Sequence, residues 1–124
     1  MIERYTRPEM AAIWSEERML ALWQEIEALA LEGWETEGTV PAGAAGAVRA
    51  ATVDPAAWKE RERETRHDVA AFVDVLASAM SDHGRWVHYG LTSSDLLDTA
   101  LGARLHEAGT MLAEGVITLF ETVQ

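Results

Sequence analysis

The sequence predicts an all-α fold: a small helical domain that runs into the first long helix of a helical bundle. Three observations carry this reading. Apolar residues recur at three- and four-residue spacing along most of the chain, β-branched runs with period-two alternation and Asn-Gly turns are missing, and the last apolar series continues to the final residue. At 124 residues the chain suits one small core rather than two full domains.

Taken in order, Ser15 caps a first long helix whose apolar positions Met19, Trp23, Ile26, Ala30 and Trp34 share one face, and Gly38 followed by Pro41 ends it. The stretch from Ala42 to Thr52, rich in Ala and Gly, predicts only a short, weakly specified helix in a mobile lobe. Asp54 and Pro55 form a cap followed by Pro, which starts a helix through Trp58 toward Arg63. From Asp68, the set Val69, Phe72, Val73, Leu76, Ala77 and Met80 keeps helical spacing up to Gly84. After the cap-rich Thr92-Ser93-Ser94-Asp95, the series Leu97, Leu101, Leu105, Ala108, Leu112, Val116, Leu119 and Val123 predicts a helix of about 30 residues, about 45 Å long. The expected organisation is a helical domain over 1–93 and the start of a bundle helix over 94–124. That helix shows no stop signal and a stripe longer than the preceding residues can cover, so a larger protein cut within it is expected.

Acidic residues outnumber Lys and Arg by 21 to 10, which opposes binding to a phosphate backbone and argues against nucleic acid as a partner. Nearly every basic residue is Arg, with Lys59 the exception, and the guanidinium fork matches carboxylate and phosphate oxygens. Cysteine is absent, so thiolate nucleophiles, disulfides and Cys-based zinc sites are excluded. No apolar run reaches the length of a membrane span and the N-terminus lacks a signal pattern, so a cytoplasmic protein is expected. His67, His83, His88 and His106 lack the short pair spacings of a zinc site, and no metal is expected.

Three places gather groups suited to anions. Arg66, His67 and Asp68 stand at a helix start, where free N–H groups and the helix dipole favour negative charge; Asp68 is either a cap or the acceptor that fixes the imidazole tautomer. The competing reading is a Thr65 or Asp68 cap beside an ordinary surface histidine. Thr92 and Ser93 gather hydroxyls at the start of the last helix, with His88 four residues earlier, although hydroxyls at N-caps are routine. Arg4 and Tyr5 pair a phosphate-capable fork with an aromatic face. The five tryptophans read as core and interface anchors.

Together, "MIERYTRPEMAAIW", "TRHDVAAF" and "WVHYGLTSSDLLDTA" resemble, in order and spacing, the opening region of the adenylosuccinate lyases, a branch of the fumarase/aspartase superfamily. The resemblance implies a carbon–nitrogen lyase of purine biosynthesis that releases fumarate, with AMP, from adenylosuccinate by β-elimination, cleaves a succinylated carboxamide ribotide in the same way, and needs no cofactor. It implies that Arg4 and Tyr5 contact the nucleotide part. Arg66, His67 and Asp68 then form a substrate-binding triplet, with His67 in a supporting catalytic role, while Thr92 and Ser93 hold the succinyl or fumarate carboxylate and His88 stands nearby. In that family the main acid and base lie in later segments and sites are shared between subunits of a homotetramer. This stretch alone is therefore expected to bind parts of the substrate, to be inactive, and to self-associate through its last helix. The rival expectations are a non-catalytic helical interaction module and a lyase of the same superfamily with another succinyl substrate.

Overall fold

The computed structural model describes residues 3–124, so Met1 and Ile2 of the first motif lie outside it. After a 3-10 turn at Glu3–Tyr5 come α1 (Pro8–Ile13), α2 (Glu16–Thr36), α3 (Ala44–Ala50), α4 (Pro55–Thr65) and α5 (Asp68–Ser78). A 3-10 helix at Ser81–Trp86 then leads to α6 (Ser93–Val123). The fold is all-α, with no strand among the described residues. Among the described residues no helix is long and apolar enough to cross a membrane.

The capping residues act where the sequence puts them. The Ser15 side chain accepts from the Arg18 N–H at 3.0 Å and opens α2, and Asp54 accepts from the Ala56 N–H at 3.0 Å and opens α4 with Pro55 in its first turn. Trp23 of α2 is the centre of the core: its ring meets Phe72 of α5 edge-on at 5.4 Å and Trp58 of α4 at 6.2 Å. Leu20, Leu31, Val48, Leu76 and Leu96 close around them, so α2 is the wall against which α3, α4 and α6 pack, while α5 pairs with α4 and reaches α2 through Phe72.

Four features differ from the sequence reading. The short helix α1 escaped it, because six residues are too few to show a period; Pro8 starts α1 and Ile13 alone in it is buried. The Ala/Gly-rich segment is not a loose lobe. Ala44, Ala45 and Val48 are buried against α2, and both ends of α3 are tied to that helix: Glu35 accepts from the Ala45 N–H at 2.7 Å, and the Gln24 amide donates to the carbonyls of Val48 and Ala51 at 2.6 and 2.9 Å. Small side chains let the two backbones approach, which offsets the weak helix propensity of Gly46.

The third difference is the end of α5. It stops at Ser78 rather than near Gly84, and the chain turns through Ser81 at φ 40° into the 3-10 helix. Gly84 then lies so close to the Ala77 carbonyl oxygen that a Cβ would collide with it. The fourth concerns α6, whose length of 31 residues agrees with the expectation, but whose counted stripe, Ala108 excepted, faces outward. Leu96, Ala100 and Ala108 face the core, whereas Leu97, Leu101, Leu105, Leu112, Val116, Leu119 and Val123 are exposed. The helix is apolar on more than one face, and periodicity does not say which face the rest of the chain covers.

Candidate functional site

The helix-start geometry puts the sequence-predicted residues into two separate places. The first is an open groove of about 240 Å³ between α5 and the start of α6, lined by His67, Val69, Ala70, Asp74, His88 and Ser93 among others. Three of the residues singled out in sequence, His67, His88 and Ser93, thus meet across a span of 27 sequence positions. The N-termini of α5 and α6 are both at this groove, which favours negative charge there.

His67 itself caps α5. Its Nδ1 accepts from the Ala70 N–H at 3.3 Å, and its backbone is held by Thr65, whose hydroxyl accepts from the His67 N–H and donates to the His67 carbonyl. An Nδ1 that accepts carries no proton, so the neutral ring is protonated at Nε2. Asp68 Oδ1 stands 3.5 Å from the same Nδ1 but forms no hydrogen bond with it, so the bond that sets the tautomer is the one from the Ala70 N–H, and the N-cap residue is His67 rather than Thr65 or Asp68. Asp68 instead accepts from its neighbour, the Val69 N–H, at 2.7 Å, while its carbonyl receives the Trp58 indole N–H at 3.0 Å.

Arg66 closes α4 in the left-handed region, at φ 53° and ψ 31°. A β-carbon makes that conformation costly, and such residues cluster at ligand sites. The chain has 21 carboxylate side chains, yet Arg66 has no carboxylate partner among the described residues. Asp74 on the groove wall is by contrast already engaged, accepting from Arg61 Nε at 2.8 Å.

Across the groove, His88 also has a left-handed backbone, at φ 65°. Sequence reasoning missed the residue that holds it, Glu27, which is fully buried and one turn past Trp23 on α2. One carboxylate oxygen of Glu27 accepts from the His88 N–H at 2.7 Å and the other meets His88 Nδ1 at 2.7 Å. A signal existed: Glu27 lies between Trp23 and Leu31 at four-residue spacing, an acid on the core-facing side of an apolar helix. Thr92 and Ser93 begin α6, where the Thr92 N–H donates to Asp95 at 2.8 Å as part of a capping box.

Arg4 and Tyr5 are elsewhere. The Arg4 guanidinium lies over the Tyr5 ring at 4.8 Å, and Tyr5 lines a second groove with Met10, Met111, Leu112 and Val116. Met111 is 18 residues along α6 from Ser93, about 27 Å at the helical rise, so one chain does not bring this pair to the histidines.

The chain is 44% identical over 113 residues to the adenylosuccinate lyase of Bacillus subtilis, a match covering 90% of this chain and 26% of that protein. The chain is similar to adenylosuccinate lyases. Those of Staphylococcus saprophyticus and Streptococcus mutans match over the same lengths at 43% and 42% identity. The chain therefore spans about a quarter of the length of these curated adenylosuccinate lyases. No protein-family model matches it.

Proposed function

We propose that the chain is the N-terminal domain of an adenylosuccinate lyase and supplies substrate-binding side chains to a site that later segments and other subunits complete. The observation that carries this is the convergence of His67, His88 and Ser93 on one groove at two helix N-termini, in a chain 44% identical to such a lyase. The reaction is a β-elimination: a base takes the proton from the carbon beside a carboxylate, and the charge spreads into that carboxylate. The C–N bond then breaks to give fumarate, and an acid protonates the departing nitrogen of AMP.

In this reading Thr92 and Ser93 hold a carboxylate of the succinyl group at the start of α6, and Arg66 supplies an uncommitted guanidinium for an anionic oxygen. His67 donates from Nε2–H to the phosphate or to the reacting region, and Asp68 orients its surroundings. Arg4 and Tyr5 serve the nucleotide of a site made with another subunit, which accounts for their distance from the histidines. The succinylated carboxamide ribotide is the second substrate, no cofactor takes part, and the complete enzyme is a cytoplasmic homotetramer.

By itself the chain positions substrate without the acid and base, so it releases no fumarate. Calorimetry of AMP and adenylosuccinate binding tests the reading: Arg66→Ala and Thr92→Ala abolish the binding if these groups hold ligand. Fumarate release proportional to the concentration of the 124-residue protein, or binding untouched by both substitutions, contradicts it. The exposed stripe of α6 favours one further reading, a helical interaction module whose partner binding survives Arg66→Ala and Thr92→Ala.

A further inference from the structure

Glu27 is the one fully buried charged side chain among the described residues, and its carboxylate reaches a single residue, His88. Burying a carboxylate is costly unless it is hydrogen-bonded, and here both oxygens are met by one histidine, through its backbone N–H and its ring. An ionised carboxylate only accepts, so the ring nitrogen 2.7 Å from Glu27 is the donor, and His88 carries its proton at Nδ1. Nε2 is then the ring nitrogen left for a ligand, and no hydrogen bond to it occurs among the described residues.

The two histidines of the groove are consequently fixed as opposite tautomers. A backbone N–H holds His67 with its proton on Nε2, a donor; a buried carboxylate holds His88 with Nε2 bare, an acceptor. We infer that Glu27 is a positioning residue that locks the backbone and tautomer of His88, so that the groove offers a ligand one imidazole donor and one imidazole acceptor. The ligand group that fits presents an anionic oxygen to His67 and an N–H or O–H to His88. This rests on the reading of the groove as a nucleotide and carboxylate subsite, and it adds the residue that orders that subsite from the core.

The test is histidine ring nitrogen NMR of the 124-residue protein in mildly alkaline buffer, with AMP as the probe. The wild-type spectrum shows His88 protonated at Nδ1 and His67 at Nε2. Glu27→Gln keeps an acceptor for the His88 N–H but turns an amide donor toward Nδ1, so His88 switches to the Nε2–H tautomer while His67 does not change. Its saturable response to AMP then weakens about tenfold, the worth of roughly one hydrogen bond. A purely structural role for Glu27 lowers stability and leaves the tautomer alone. Wild-type His88 protonated at Nε2, or a tautomer unchanged in folded Glu27→Gln, overturns the inference, and the wild-type spectrum decides even if the variant does not fold. Tautomers as stated with no AMP response retain Glu27 as the positioning residue and remove the nucleotide reading instead.

Discussion

Glu27 and His88 show how a single contact ties the core to the groove. Glu27→Ala leaves the His88 N–H and Nδ1 without their partner and opens a void beside Trp23, so a loss of about 2–4 kcal/mol in urea unfolding is expected. Arg66 makes the converse case: Arg66→Gly relieves the left-handed backbone and is expected to stabilise the protein by about 0.5–1 kcal/mol while weakening AMP binding. A pH effect follows from Glu107, which Arg18 holds below the ordinary carboxylate range through a side-chain hydrogen bond. A carboxylate lowered in the folded state stabilises above its unfolded value, and that stabilisation is lost as pH falls through the folded value. The melting temperature of wild type is therefore expected to exceed that of Glu107→Gln at neutral pH and to converge with it in acid. Arg66, His67 and Ser93 were legible in the sequence as polar residues at helix starts, and His88 as a neighbour four residues before Thr92. Glu27 was not singled out, because its role lies in what it touches 61 residues away.

The helices were legible where a cap and a long period coincide, as in α2 and α6, and in α4 from the Asp54–Pro55 start alone. They were misread where one close contact decides. The end of α5 depends on Gly84 fitting beneath the Ala77 carbonyl, a tertiary contact that helical spacing through Met80 does not encode. Gly84→Ala is expected to destabilise the protein by at least about 1–3 kcal/mol, the range for overpacking, as read by thermal unfolding. α3 was underrated for a related reason, since its stability comes from Gln24 and Glu35 on α2 rather than from its own propensity. Gln24→Ala removes the donor to both the Val48 and Ala51 carbonyls. Faster amide exchange confined to α3 and its flanks is the expected outcome.

Taken as one body, the molecule has two unlike surfaces: the groove between α5 and α6, and the apolar outer face of α6 from Leu97 to Val123. The all-α class and the length of α6 were readable from period alone, but which of its faces the domain covers depends on the packing of α2 against it. An exposed stripe of this length is expected to make the chain self-associate, so its sedimentation coefficient rises with concentration and Leu112→Glu with Val116→Glu suppresses the rise. Ligand binding in the groove is tested most directly by NMR titration of AMP and adenylosuccinate into the 124-residue protein. Saturable shifts are expected at the His67 and His88 rings and the Thr92 and Ser93 amides, with the outer face of α6 unchanged. A folded protein whose groove signals stay fixed up to millimolar ligand would contradict such binding.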